Sequence, residues 1–278
     1  MNFMPARQIE LAVAQRAKGR LGLAFKRDGA RTRVEEFYQQ GCLKARLPRP
    51  AEAGVLEAVT MNIGGGVAGG DVLATRIELH PGAQACVASQ AAERVYRALA
   101  EPAEVSTEIT VHPGAMLAYL PQETILFDGF GLNRSLEIAL HGDAAFLGVE
   151  SVVFGRLAMG EAVRLGALRD RITLKRDGRV VLRDMTRLEG DISAQLGRQA
   201  VARGAVAAAS LVFARADAAD YLDAVRGALG EAHAGASCFE GVLFARILAP
   251  TGAALRRIVV AALNVLRDGQ PMPRVWQG

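Results

Sequence analysis

The sequence is poor in the residues that most often announce chemistry. Its three cysteines, Cys42, Cys86 and Cys238, are far apart and odd in number. Without a Cys-x-x-Cys they exclude a disulfide framework and a thiolate metal knot, and they fit a reducing cytosol. Aromatic residues make up 5% of the chain, with one tryptophan. The 33 basic and 29 acidic residues leave a net charge of only +4 and form no polybasic run, which argues against nucleic acid as a partner. No apolar run approaches the roughly 20 residues that cross a membrane. The longest, residues 204–214, is bracketed by Arg203 and Arg215. The N-terminus carries Arg7, Glu10, Arg16 and Lys18 and lacks the apolar core of a signal peptide. Neither a P-loop nor a Gly-x-Ser-x-Gly nucleophile elbow occurs. A soluble, cytoplasmic protein is expected, with neither nucleic acid nor membrane as a partner.

What the chain has is glycine, concentrated in residues 59–71. Five glycines fall within the seven positions 64–70 and the stretch closes on Asp71. Gly64-x-Gly66-x-x-Gly69 matches the dinucleotide fingerprint literally. A phosphate-binding loop must open a helix whose amides meet the anion. Here Asp71-Val72-Leu73-Ala74-Thr75-Arg76-Ile77-Glu78-Leu79 alternates like a strand and stops at His80-Pro81-Gly82. The acid expected on the second strand is missing, since residues 83–90 contain none. The stretch therefore reads as a turn between strands, its glycines permitting positive φ and close backbone approach. Any chemistry in it falls to Asp71.

Period-two alternation dominates from Arg20 to about Arg183. Lys26-Arg27-Asp28-Gly29 and Lys175-Arg176-Asp177-Gly178 each sit between alternating runs, a hairpin signal. An internal repeat lies between them. Ile77-Glu78-Leu79-His80-Pro81-Gly82 reappears at Ile109-Thr110-Val111-His112-Pro113-Gly114 and, degraded, at Ile138-Ala139-Leu140-His141-Gly142. Ile172-Thr173-Leu174 before Asp177-Gly178 reads as a fourth copy, so the starts are 32, 29 and 34 residues apart. Units of this length cannot bury an apolar face alone, and stacking them gives a mainly β, layered or β-helical architecture. Helical periodicity is nearly absent before residue 215. Beyond it, Asp217 is placed to cap a helix carrying Tyr221, Leu222, Val225 and Leu229 and ending at Gly230. A strand over Leu243–Leu248 follows. Thr251 then caps a second helix with the stripe Leu255, Ile258, Val259, Ala262 and Leu266, stopped by Gly269. The proline-rich tail, with Trp276, is not expected to be helical. With no flexible linker, residues 1–278 read as one domain, a β-rich body over about 20–215 and a two-helix part over about 216–278.

Two sets of polar residues could carry function. His80, His112 and His141 occupy equivalent repeat positions, so stacking could align them into a column for nickel or zinc. Repetition of a solvated residue before a turn explains them equally. His233 sits in a loop-like segment. The second set is acidic: Asp71, Glu93, Glu123, Asp128, Glu150, Glu161 and Asp191 lie within apolar strands or beside glycines. Surface salt bridges with arginines such as Arg94, Arg156 and Arg164 would account for them. The alternative is a wet, acid-lined internal path suited to a divalent cation, because a buried carboxylate must be paired or solvated.

Several strings then coincide in order. Residues 62–71, Asn-Ile-Gly-Gly-Gly-Val-Ala-Gly-Gly-Asp, resemble the Asn-x-x-Gly-Gly-x-x-Gly-Gly-Asp signature of the urease accessory protein UreD (UreH) family. Ser89-Gln90-Ala91-Ala92-Glu93-Arg94-Val95-Tyr96-Arg97 is similar to its Thr-Gln-Ala-Ala-x-Lys-Val-Tyr-Arg segment. Leu120-Pro121-Gln122-Glu123 through Phe127-Asp128-Gly129 resembles its Leu-Pro-Gln-Glu-x-x-x-x-Phe-x-x-Ala/Gly stretch. Gly155-Arg156-Leu157-Ala158-Met159-Gly160-Glu161 and Pro273-Arg274-Val275-Trp276 resemble two further family segments. The likeness runs from about residue 20 to the C-terminus, and residues 190–204 carry no family motif. It implies a β-helical fold with two helices near the C-terminus. The implied function is a non-catalytic maturation chaperone that docks on apo-urease (UreA, UreB, UreC) and recruits UreF and the GTPase UreG. Nickel would be a transient cargo with no tightly bound cofactor, passing through an internal tunnel. By matched motif the path residues would be Asp71, Glu93, Glu123, Asp128, Glu150 and Glu161. The two C-terminal helices and the tail with Arg274 and Trp276 are the candidates for the UreF contact, since Trp and Arg are typical interface anchors. Two other classes fit the residues: a repeat-built β scaffold or binding module without a metal role, and an enzyme using a carboxylate pair such as Glu123 and Glu150.

Overall fold

The computed structural model describes residues 16–49, 54–156 and 160–277. Arg7 and Glu10, and Leu157, Ala158 and Met159 of one family segment, lie outside the described residues. Strands β1 (Lys18–Asp28) and β2 (Arg31–Gly41) form the first hairpin, followed by β3 (Leu43–Arg46) and β4 (Leu56–Asn62). The chain then winds through β5 (Val72–Leu79), β6 (Gln84–Ser89), β7 (Glu93–Val95), β8 (Ala103–Val111), β9 (Met116–Leu120) and β10 (Thr124–Leu126). It continues through β11 (Phe130–Leu140), β12 (Ala145–Phe154), β13 (Leu165–Arg176) and β14 (Arg179–Asp191). Helix α1 (Ile192–Gly197), β15 (Ala207–Ala214), α2 (Leu222–Leu229), β16 (His233–Phe239), β17 (Val242–Ala249) and α3 (Gly252–Leu266) complete it.

These strands build two facing sheets. The seven-stranded one has the order β14-β13-β11-β8-β5-β1-β2. The ten-stranded one runs β16-β17-β15-β12-β9-β6-β4-β3, with β7 and β10 attached. Each Ile-x-Leu/Val-His turn carries the chain from the first sheet to the second, and successive coils pair in parallel, with Ile77 beside Ile109 and Ile109 beside Ile138. The expected stacking of repeats is thus a β-solenoid. Its fourth unit departs in two ways: Ile138 pairs with Leu174 rather than Ile172, and β13 folds back on β14 within the same sheet. That hairpin turns on Asp177 and Gly178 at φ +48° and +82°, as the Asp-Gly signal requires.

Alternation explains the layers. In β12, β15 and β17 both faces are buried, so these strands read as continuous apolar runs. Phe146, Val212 and Val242 face the first sheet, in the core between the sheets. Leu147, Leu211, Phe213 and Ile247 face outward, where α2 and α3 cover them with Val225, Leu229, Val259 and Leu263. The run at 204–214 is therefore a central strand.

Several local expectations are corrected. Asp217 donates no cap: its carboxylate takes Arg215 Nε at 2.5 Å, and a 3-10 turn over Ala218–Tyr221 precedes α2. Thr251 does cap α3, accepting from Ala254 N at 3.1 Å. Helix α1 falls in the segment without a motif, with Asp191 accepting from Ala194 N at 2.8 Å. His233 begins edge strand β16. The tail forms a 3-10 turn over Arg274–Trp276, and Trp276 is only 6% exposed.

Candidate functional site

The inter-sheet core is interrupted by polar rows in strict register. On the first sheet Arg134 pairs with Asp170, and Asp170 with Thr186. On the second, Glu150 pairs with Ser210, and Ser210 with Arg246. The rows face each other. Arg134 Nη1 lies 2.5 Å from Glu150 Oε2, and Asp170 holds the same guanidinium through Nε and Nη2 at 2.9 and 2.6 Å. Further along, Arg246 donates to Asp184 at 2.5 Å and to Thr186 at 3.2 Å, and Ser210 donates to Asp184 at 3.1 Å.

Two cavities flank the Arg134–Glu150 pair and share it as a wall. One, about 200 Å³, opens beside the glycine stretch and is lined by Asn62, Glu93, Gln122, Thr124 and Tyr119. The other, about 350 Å³, is lined by Asp170, Ser210, Arg246, Met185 and Val201. Each of the segments 62–71, 89–97 and 120–129 contributes to the lining of the first, through Asn62, through Ser89 to Glu93, and through Pro121, Gln122 and Thr124.

Burial governs the charges here. Burial works against the Arg134 cation, but Asp170 and Glu150 more than offset it and keep the guanidinium charged. One cation cannot fully compensate two carboxylates. Asp170 has the bidentate contact, so Glu150, 8% exposed, gives way: burial pushes its carboxyl up to about 7, with Arg134 opposing and Asp170 adding to the rise. Burial also raises Glu93, which accepts from Asn62 Nδ2 at 3.2 Å. The Tyr119 phenol is raised for the same reason. Desolvating such a set costs several kcal/mol per ion before pairing. A core built only for stability would use aliphatic residues here.

The six acids are not brought together. Glu93 and Glu150 line the first cavity. Asp71 instead fastens the glycine turn: Oδ1 accepts from Ala17 N at 2.7 Å and Oδ2 from Ala68 N at 2.8 Å. Glu123 lies 3.9 Å from Arg256, and neither cavity has it in its lining. Asp128 accepts from the amides of Arg164 and Leu165 at 2.7 and 2.9 Å, which hold its carboxyl below the usual range. Glu161 binds Arg156 Nε at 2.5 Å and accepts from Asp128 N at 3.3 Å, in a separate corner.

Of the C-terminal pair, Arg274 is exposed. Trp276 is core, donating from Nε1 to Leu120 O at 2.9 Å beneath the Arg256 guanidinium. Arg134, Asp170, Asp184, Ser210 and Arg246 escaped the sequence reading. Their signal was a polar residue in phase with an apolar alternation, as in Leu132-x-Arg134-x-Leu136-x-Ile138 and Leu168-x-Asp170-x-Ile172-x-Leu174.

The histidines form the column that repetition allowed. The His80 and His112 rings stack at 5.7 Å and 1°, and those of His112 and His141 at 5.3 Å and 15°.

Fold and site together define a stacked-coil β protein with a charged, cavity-flanked core and a helical outer layer. The chain belongs to the UreD family: the family model described as UreD urease accessory protein matches residues 17–277. A urease accessory protein UreD of Rhizobium leguminosarum bv. viciae is 43% identical over 262 residues, covering 94% of this chain and 96% of the relative. One from Rhizobium leguminosarum bv. trifolii is 44% identical over the same length, with the same coverage. A third, from Methylobacterium sp., is 44% identical over 271 residues and 95% of both chains. No helix among the described residues is long and apolar enough to cross a membrane.

Proposed function

We propose that the chain is a non-catalytic urease maturation chaperone that docks on apo-urease, recruits UreF and the GTPase UreG, and passes nickel through its own interior. The supporting observation is the Arg134–Glu150 pair standing between two cavities. Glu93 offers an oxygen ligand at the glycine-stretch side. Glu150, its carboxyl pushed up to about 7, can exchange its proton for a cation, while Asp170 keeps a bidentate hold on the Arg134 guanidinium. Carboxylates and side-chain amides are weak, exchangeable ligands for a borderline divalent ion, which suits a cargo that must leave. Arg274, exposed on an otherwise largely buried tail, is the residue offered to UreF.

Co-expression with apo-urease at fixed nickel tests this. Glu150→Gln keeps the size of the side chain and an acceptor for Arg134 while removing the exchangeable charge. We expect urease activation to fall severalfold while UreF and UreG still co-purify. Wild-type activation by that variant would overturn the route. The saturated hydrogen bonds of Asp71 and the ion pair of Glu161 favour a second reading, a scaffold without a metal role. On that reading every passage variant that still binds its partners would activate urease fully.

A further inference from the structure

We propose that the turn edge of the solenoid carries a surface site for a borderline first-row divalent cation, built by Glu78, His80 and His112 with Glu35 beside them. One ligand atom from each of Glu78, His80 and His112 lies within 4.8 Å of the others. His112 Nε2 is 3.0 Å from Glu78 Oε1, and His80 Nε2 is 2.7 Å from Glu35 Oε2. Two imidazoles and one or two carboxylates are a donor set for zinc or nickel.

The backbone presets this arrangement. His80 N donates to Phe25 O at 2.8 Å, and His112 N donates to Leu79 O at 2.9 Å. Each histidine is therefore locked one coil above the last, and its ring is aligned before any ion arrives. Each carboxylate is also held by a surface cation, Glu78 by Arg76 at 3.3 Å and Glu35 by Lys26 at 3.3 Å. These contacts orient the carboxylates in the manner of outer-shell partners around a metal. His80 is 37% exposed and His112 30%, so an ion reaches both from solvent. The His80 and His112 rings are parallel, so binding a shared ion requires them to turn toward it. The site lies at the His-Pro-Gly turns, at the far end of β5 from the glycine stretch. None of its four residues lines either inter-sheet cavity. It stands independently of the nickel-delivery reading.

The test is calorimetric titration of the full-length chain with Ni²⁺ and, separately, Zn²⁺. The double variant His80→Ala/His112→Ala should lose one equivalent of bound ion, or bind it at least about tenfold more weakly. His141→Ala should retain it. Glu78→Gln, a milder surface change, gives the same reading should the double variant fold poorly. Loss of affinity in Glu78→Gln with an unchanged melting temperature supports the site. With Co²⁺ as a probe, visible absorption bands should appear in the wild type and vanish in the double variant. Unchanged stoichiometry and affinity in both folded variants would overturn the proposal. Because the readout is binding to the isolated chain, its failure leaves urease activation untouched, and the reverse.

Discussion

Arg134 and Glu150 sit on opposite sheets, yet guanidinium and carboxylate meet at 2.5 Å in the middle of the core. Asp170, the cross-strand partner of Arg134, completes a trio with one cation and two anions. This imbalance, produced by strand register, sets how the core responds to pH and to substitution.

The first consequence concerns pH. The Glu150 carboxyl titrates at about 7 in the folded chain against an ordinary 4.5. Between those values the folded state holds a proton that the unfolded state has released. The Glu150 contribution to stability is therefore full below pH 4.5 and is lost as pH rises through 7. Melting temperatures across pH 4.5–7.5 should show a downward slope in the wild type and a shallower one in Glu150→Gln. Glu93, also raised by burial, supplies part of the slope that remains.

Removing the cation alone should be severe. Arg134→Ala leaves Glu150 and Asp170 buried without their partner, a change worth about 3–5 kcal/mol by denaturant unfolding. Replacing all three with apolar residues of similar volume should be nearly neutral or stabilising. If the trio serves passage, that triple variant will fold well and fail to support urease activation.

The glycine stretch separates two costs. A Cβ at Gly69 would stand 2.6 Å from both Ala98 Cβ and Glu101 O, so Gly69→Ala should cost roughly 1–3 kcal/mol through overpacking. Gly65 has open space but φ +79°, so Gly65→Ala should cost only the left-handed backbone penalty of about 1–2 kcal/mol. Thermal melts of the two variants will rank them.

The C-terminal tail offers a separation of stability from binding. Trp276→Ala removes a buried ring and its hydrogen bond to Leu120 and should cost about 3–5 kcal/mol. Arg274→Ala should leave the melting temperature unchanged, and its co-purification with UreF reads the contact directly. Truncation after Arg267 removes Trp276 as well, so lost binding in that variant would report unfolding of the outer layer.

Much of the architecture was legible along the chain, because it rests on local and periodic signals. The Asp177-Gly178 turn, the His-Pro-Gly repeats, Thr251 as a cap and the amphipathic stripe of α3 each follow from residue chemistry at fixed spacing, whereas in the first hairpin Asp28 stays in β1 and the turn falls on Gly29 and Ala30. Family membership was legible for the same reason, in segments such as residues 62–71. The signals that misled were those with a competing partner nearby, as when Arg215 drew Asp217 away from the helix end. Short elements carried too few residues to speak: α1 offers only Asp191, Ile192 and Leu196.

Residue chemistry along the chain sets the stack of coils and which residues alternate inward. Which inward residues meet depends instead on register between strands distant in the chain and on how one sheet lies over the other. Hence Glu150 found Arg134, while Asp71 and Glu123, alike as acids in the sequence, were taken up by backbone amides and by Arg256.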